Sequence, residues 1–200
     1  MNRRKKRGGI LILMGVVMLF SAVGLHISQV KQDALAGENA RVLLEQLELS
    51  RVSVQVEQPE PAADTADAEM SAEDYLGYSM IGTVRISAVG IELPVLTSWS
   101  YDLLNVAPCR YSGSVDSGDL ILMGHNYRSH FSALHQISLG TEVEFEDVNG
   151  VSHWYVVDQI EHLHKSEAER LASEHELILF TCTAGGQNRI VVRCSQVKAL

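Results

Sequence analysis

The pattern of apolar and polar positions divides this chain into three parts, of which the first is a long uncharged segment. A basic cluster at residues 3–7 precedes the 23 residues 8–30, which carry no formal charge. That length is about what is needed to cross the hydrocarbon core of a bilayer. The basic flank favours a cytoplasmic N-terminus, which leaves the remainder of the chain outside the cell. We therefore predict a cytoplasmic segment at residues 1–7 and a single-pass anchor in the cell membrane at residues 8–30.

A cleavable signal peptide is the alternative interpretation of the same segment. Ala34, Leu35 and Ala36 have the small-residue pattern of a cleavage site. They follow the end of the strongly apolar run, at Leu25, by nine residues, which is a long separation for a signal peptide. The pattern therefore favours a retained anchor.

The second part, residues 31–74, combines a helical pattern with an acidic segment. The helical pattern has an apolar stripe, which is typical of a short stalk helix and consists of Val42, Leu43, Leu44 and Leu47. Residues 57–69 are acidic, rich in proline and alanine, and contain no aromatic residue. Such a segment cannot bury enough apolar surface to offset the entropy lost on ordering. We interpret it as a flexible tether between the membrane and the third part.

The third part, residues 75–200, alternates short apolar runs with brief turns. Strands are predicted at residues 81–86, 91–96, 119–124, 141–146, 152–160, 176–181 and 190–194, and short helices at residues 101–105, 130–137 and 166–172. Many short strands with few helices predict a mainly β domain, either a barrel or a sandwich. The length is sufficient for one hydrophobic core.

Charge and cysteine content narrow the function classes. The whole chain carries a net charge of −9. Because residues 3–7 carry +5 and residues 8–30 carry none, the net charge of residues 31–200 is −14. This acidic exterior argues against nucleic acid as a partner. Three cysteines leave at least one free thiol in an extracellular setting. If two of them pair, Cys109 with Cys194 is the pairing that spares Cys182.

Two predicted strands end on residues that can carry nucleophilic chemistry. Cys182 ends one apolar run, and His125 follows another. Cysteine is a natural nucleophile for acyl transfer because a small fraction is already thiolate near neutral pH. A histidine with a pKa near 6.5 can donate a proton to a leaving amine and accept one from an incoming nucleophile. Since such partners meet in the fold, their separation in sequence is no objection.

An arginine completes the candidate site. A turn containing Gly185 and Gly186 is predicted to bring Arg189 back beside Cys182, where its permanent charge could hold a substrate carbonyl or stabilise an oxyanion. Arg193 is the alternative, because it lies on the same strand face. The pair of histidines at positions 162 and 164 has no third ligand of clear spacing, so we predict no metal site.

These residues together resemble the sortases, the membrane-anchored cysteine transpeptidases of Gram-positive bacteria. The family signature is Thr-Leu-x-Thr-Cys, and here residues 178–182 read Ile-Leu-Phe-Thr-Cys. The catalytic histidine of the family follows a glycine after a strand, as His125 does here. Its catalytic arginine opens the strand after the cysteine turn, as Arg189 does. The resemblance covers about residues 77–194.

The resemblance implies an eight-stranded sortase-type β-barrel and a specific reaction. Cys182 is expected to attack the Thr–Gly bond of a sorting signal similar to Leu-Pro-x-Thr-Gly. An amine of peptidoglycan or of a pilin then resolves the thioester. His125 is expected to act as general acid and base, Arg189 to position the substrate, and Thr181 to contact it. The resemblance implies no cofactor, although some relatives depend on calcium through acidic loop residues.

The subclass and two alternative functions remain open at this point. Pilin-polymerising sortases often carry an Asp-Pro-aromatic lid and a second hydrophobic segment at the C-terminus, and neither pattern occurs here. A wall-anchoring enzyme, or one of class B or D type, is therefore favoured. A cysteine peptidase that only hydrolyses is one alternative. A non-catalytic surface-binding barrel is the other, and it would be favoured by a Cys182 that is buried, distant from His125 or in a disulfide.

Overall fold

A computed structural model describes residues 3–54 and 70–197 of the chain, and side chains from residues 13–50 and 70–197. The first of these segments is a single helix, α1, Arg3–Val54. The second contains the mainly β domain. The predicted tether at residues 57–69 lies outside the described residues.

Helix α1 consists of two halves that have different surroundings. Within the described residues it is the one helix long and apolar enough to cross a membrane, and its most apolar window contains no buried residue. The second half buries one stripe against the β domain, formed by Ala36, Ala40, Leu43 and Leu47. Their spacing of three and four residues places them on one helix face. The segment predicted as a stalk is therefore helical, and it packs on the domain.

The described residues of the β domain contain nine strands. They are β1 Glu73–Tyr75, β2 Tyr78–Ile86, β3 Ile91–Leu96, β4 Cys109–Ser112, β5 Leu120–Met123, β6 Glu142–Asp147, β7 Ser152–His164, β8 Leu177–Cys182 and β9 Asn188–Gln196. Helix α2 spans Tyr101–Leu104, and 3₁₀ turns span Ser87–Val89, Phe131–Gln136 and Ala168–Arg170.

Eight of these strands close into a barrel. The order is β2-β3-β4-β5-β8-β9-β7-β6, and β6 pairs back with β2. Strand β1 adds outside this ring as a short hairpin with β2. The pairs β3–β4 and β5–β8 are parallel and the others are antiparallel. The predicted eight-stranded barrel is confirmed, and the alternative of a sandwich is excluded.

The differences from the predicted elements have local causes. Strand β4 was not predicted because its four residues, Cys-Arg-Tyr-Ser, show no clear alternation. Strand β7 continues to His164, four residues beyond its predicted end, because it pairs along its length with β9. The helix predicted at residues 166–172 is a single 3₁₀ turn at Ala168–Arg170.

The barrel interior and its flank form separate hydrophobic clusters. The interior cluster includes Cys194, and the flank cluster joins Cys109 to Leu43 and Leu47 of α1. Both cysteines are buried and all three are free thiols. The conditional pairing of Cys109 with Cys194 is therefore not formed, because each thiol packs in a different cluster.

Replacement of Leu43 by alanine tests whether α1 belongs to the folded domain. Leu43 is 1% exposed, so Leu43→Ala should lower the free energy of unfolding by about 2–5 kcal/mol, the usual effect of a large-to-small core change. Thermal and denaturant unfolding of the full-length chain in detergent would measure it. Leu49→Ala is the matched control, because Leu49 on the same helix is 59% exposed. Equal stability of the two variants would show that α1 does not pack on the barrel.

Candidate active site

The parallel pairing of β5 with β8 brings His125 and Cys182 to the same level of the barrel. The last paired residues are Met123 and Phe180, and the Gly124 amide donates a 3.2 Å hydrogen bond to the Phe180 carbonyl. His125 and Cys182 each lie two residues beyond this pair. Because parallel strands run in register, both side chains leave the sheet at one edge.

The antiparallel hairpin of β8 and β9 places Arg189 beside Cys182. These two residues are direct partners in the register of the hairpin. The reversal is closed by a hydrogen bond of 2.8 Å from the Thr183 amide to the Asn188 carbonyl. Gly185 and Gly186 have φ values of 85° and 68°, a left-handed conformation that glycine adopts without strain.

All three candidate residues line one cleft of about 170 Å³. The other lining residues are Trp99, Tyr101, Leu104, Tyr111, Met123, Gly124, Ala168, Leu171, Phe180 and Thr181. A larger depression of about 440 Å³, bounded by Arg85, Glu144 and Trp154, contains no cysteine or histidine. The candidate nucleophile and the candidate acid and base therefore both line the smaller cleft.

Cys182 differs from the other two cysteines in its exposure. It is exposed to solvent, whereas Cys109 and Cys194 are both 0% exposed. Burial raises the pKa of the Cys109 thiol to about 12 and also raises the pKa of Cys194. Only Cys182 combines access to a substrate with a location beside a histidine and an arginine.

His125 is held in place by the loop that follows β5. Its ring lies 4.6 Å from the ring of Tyr127, centroid to centroid, and the Tyr127 hydroxyl donates a 3.1 Å hydrogen bond to Asn105 Oδ1. The Phe131 amide donates to the His125 carbonyl at 3.1 Å. Burial lowers the pKa of the half-buried His125 imidazole. Burial therefore favours the neutral form of the ring, which can accept a proton.

The two candidate arginines have different partners. Arg193 is 4% exposed and donates to Glu161 Oε1 at 2.7 Å and to the Leu171 carbonyl at 2.9 Å. Arg189 Nη1 is buried and has no hydrogen-bond partner in the described part of the chain. The Arg189 guanidinium carbon lies 6.0 Å from the centroid of the Phe180 ring. Arg193 is thus occupied in a structural contact, and Arg189 keeps a donor available.

Thr181 lies on β8 next to Cys182, and the two other histidines that the sequence singled out lie on β7. Thr181 is among the residues that line the cleft, and its buried hydroxyl has no partner among the described residues. Its contact with substrate stays a prediction. His162 and His164 are exposed, and the described residues contain no group of three or more possible ligands that could hold a metal.

An aromatic wall of the cleft was not predicted. Trp99 is 42% exposed and stacks on Tyr111 with ring centroids 5.9 Å apart. The Tyr111 ring in turn meets the edge of Phe180 at 5.4 Å. Trp99 and the exposed Tyr101 lie in the segment between β3 and β4. Two large aromatic residues close together in the predicted connection between two strands were the available signal, because they would be solvated there unless they face a site.

Comparisons with known proteins agree with this geometry. A family model for the sortase domain matches residues 84–197, which include His125, Cys182 and Arg189. Sortase C1 from Streptococcus agalactiae is 26% identical over 60% of this chain and 69% of its own, with a TM-score of 0.53. Sortase A from Corynebacterium diphtheriae, a lid mutant, is 20% identical over 60% of this chain and 72% of its own, with a TM-score of 0.54.

A third structure matches a longer part of the chain. The sortase D5 transpeptidase from Clostridium perfringens is 13% identical over 82% of this chain and 99% of its own, with a TM-score of 0.58. A search of curated proteins finds no match. The fold is therefore shared with several sortase classes.

Selective labelling tests the exposure of the three thiols. A maleimide added to the native full-length chain should modify Cys182 alone, because the other two thiols are buried with raised pKa values. Intact-mass and peptide analysis would count and locate the adducts. Cys182→Ala should take up no label until it is denatured, when two sites should react. Native labelling of Cys109 or Cys194 at the rate of Cys182 would contradict the assignment.

Proposed function

The chain belongs to the sortase family of cysteine transpeptidases, and we propose that its cleft acts on a Leu-Pro-x-Thr-Gly-like sorting signal. We propose Cys182 as the nucleophile, His125 as the acid and base, and Arg189 as the group that holds the substrate carbonyl. The convergence of all three side chains on one cleft carries this assignment.

The first half of the reaction forms a thioester. The Cys182 thiolate attacks the carbonyl carbon of the Thr–Gly bond, and the negative charge moves to the carbonyl oxygen. Arg189, which lines the same cleft, donates to that oxyanion. When the intermediate collapses, the C–N bond breaks and His125 gives the leaving amine the proton that it took from the thiol.

The second half transfers the acyl group to an amine. The incoming amine attacks the thioester carbonyl, His125 accepts a proton from it, and the Cys182 thiolate leaves. The new peptide bond joins the sorting-signal protein to the acceptor, an amine of peptidoglycan or of a pilin. Water can replace the amine, in which case the product is a hydrolysed carboxylate and the enzyme acts as a thiol protease.

We propose that α1 retains the enzyme at the cell membrane with the catalytic domain outside. Its most apolar window contains no buried residue, as a lipid-facing segment requires. Ala36, the end of the possible signal-peptide cleavage box, is 0% exposed and lies inside α1 against the domain. The chain from the apolar segment to the domain is therefore one continuous helix, as a retained anchor requires.

A single-anchor wall enzyme or a class B or D type remains our proposal for the subclass. The support is that the match to the sortase D5 transpeptidase covers 82% of this chain, against 60% for the sortase C1 structures. The non-catalytic alternative would be favoured by a Cys182 that is buried, distant from His125 or in a disulfide. Cys182 is instead exposed and free, and it shares a cleft with His125.

A ligation assay tests the proposal. The full-length chain in detergent is mixed with a labelled Leu-Pro-x-Thr-Gly peptide and an oligoglycine amine, and mass spectrometry detects the ligated product. Cys182→Ala should form none, and His125→Ala should be slower by about 10²–10⁴-fold because acid–base help is lost. Arg189→Ala should be slower by about 10²–10³-fold because an oxyanion donor is lost.

The control is a histidine that does not line the cleft. His162→Ala removes an exposed histidine on β7, and it should ligate at the wild-type rate. Hydrolysis without ligation at high amine concentration would favour the peptidase alternative. A harmless His125→Ala together with a damaging His162→Ala would overturn the assignment of the acid and base.

Specificity is proposed to reside in the segment between β7 and β8. Because β7 extends to His164, this segment is residues 165–176 rather than the longer loop that would begin at residue 161. Ala168 and Leu171 line the cleft, and Leu171 also packs with Ile178 of β8. Substrate contacts on such a loop can vary without unfolding the barrel.

Exchange of this segment tests the proposal. In the first chimera, residues 165–176 come from a sortase of different signal preference and Arg193 is kept. This chimera should prefer a different pentapeptide from the wild type. The ratio of kcat/KM values for two competing peptides measures the change. A second chimera, with residues 149–151 of the β6–β7 turn exchanged instead, serves as control and should keep the original preference. Unchanged preference in a folded, active first chimera would place selection elsewhere on the barrel.

A further inference from the structure

Helix α1 contacts the loop that presents His125. We define the histidine loop as residues 125–130, which connect β5 to the 3₁₀ turn at Phe131–Gln136. Asp33 Oδ1 accepts hydrogen bonds from the Ser129 amide at 3.0 Å and from the Ser129 hydroxyl at 2.7 Å. The same hydroxyl lies 2.9 Å from the Asp33 carbonyl. The carboxylate therefore fixes both the backbone and the side chain of one loop residue.

Gly37, one turn further along α1, lets the helix approach this loop closely. A Cβ atom at Gly37 would lie 2.9 Å from Ser129 Cβ, which is closer than real Cβ atoms approach. Glycine is one of the least favourable residues inside a helix. Its presence here is explained by the contact, because any other residue would push the loop away.

Packed side chains of the histidine loop connect Ser129 to His125. The Tyr127 ring lies between two histidines, 4.6 Å from the His125 ring and 5.5 Å from the His130 ring, centroid to centroid. The His130 amide donates to the Tyr127 carbonyl at 3.0 Å. His130 is 1% exposed, and burial, followed by the proximity of His125, lowers its pKa to about 4. A displacement at Ser129 must therefore move this packed set of rings.

We propose that Asp33 and Gly37 are positioning residues, which make the anchor helix part of the catalytic apparatus by holding the histidine loop in its active geometry. The inference rests on the proposed function, because it depends on the role of His125. Loss of the contact should leave the thiol and the substrate cleft in place. Its effect should fall on proton transfer, which is sensitive to displacements of less than 1 Å.

Paired glycine substitutions separate this role from the general stability of α1. Gly37→Ala raises helix propensity and forces Ser129 away. Gly24→Ala makes the same change in the same helix where no atom lies within 4 Å of the new Cβ. In the full-length chain in detergent, Gly37→Ala and Asp33→Ala should lower kcat for ligation about tenfold and leave KM within about twofold. Gly24→Ala should match the wild type.

A double substitution provides a rescue. Ser129→Gly removes the Cβ atom that Gly37→Ala would strike, and it keeps the amide that donates to Asp33. The Gly37→Ala, Ser129→Gly chain should therefore recover most of the lost kcat. A merely structural defect in α1 would not be repaired by a change in the histidine loop.

An NMR titration of the His125 imidazole gives a readout that needs no turnover. The titratable and charged groups on the elements that surround the ring are Asp33 of α1, Cys182 of β8, Arg189 of β9, and Tyr127, Arg128 and His130 of its own loop. Release of the loop by Asp33→Ala should return the ring to water and raise its pKa toward about 6.5. Loss of the Asp33 charge alone would lower the pKa of His125, so the sign identifies the cause.

The outcomes distinguish the inference from the proposed function. Wild-type kcat and an unchanged His125 titration in folded Asp33→Ala and Gly37→Ala would overturn the inference and leave the proposed function intact. Absence of ligation by the wild type would overturn the proposed function, and a raised His125 pKa in the variants would still support the contact as a positioning device.

Discussion

The parallel pairing of β5 with β8 is the constraint on which the site depends. These strands are far apart in sequence, and only their pairing brings the end of one beside the end of the other. Register then decides the chemistry, because a slip of one residue would turn His125 or Cys182 toward the opposite face of the sheet. The antiparallel hairpin to β9 adds Arg189 through a second fixed register. Three side chains are thus located by backbone hydrogen bonds, and the loops around them can vary in sequence.

The positions of Arg189 and Arg193 along β9 also explain why these two arginines have different surroundings. They are four residues apart and share a strand face, so the pattern of the sequence leaves the choice between them open. Burial decides it. Arg193 lies beneath the segment between β7 and β8, where its guanidinium binds Glu161 and two backbone carbonyls. Arg189 lies at the open edge of the barrel, where a substrate can reach it.

Local sequence patterns predicted the barrel and its candidate residues because strand ends and glycine turns leave strong signals. Seven of the strands and the Cys182 hairpin could be located from alternation and turn residues. Strands β1 and β4 could not, because they have only three and four residues and show no clear alternation. The position of α1 against the barrel could not either, because a stripe such as Leu43 and Leu47 shows that a helix face is buried without showing what buries it. Trp99 was missed because its environment depends on Tyr111, which belongs to the unpredicted strand β4.

The contact between Asp33 and Ser129 has a consequence for where the reaction takes place. With residues 8–30 in the hydrocarbon, Asp33 follows the end of the span by only three residues, or about 5 Å along the helix axis. On the placement that we propose for α1, the histidine loop lies at the height of the lipid headgroups. An enzyme at that height would meet its substrates by lateral diffusion in two dimensions, and proteins that still have a segment embedded in the membrane would reach it most readily. Proximity to the bilayer would then act as a filter on substrates, in addition to the sequence of the sorting signal.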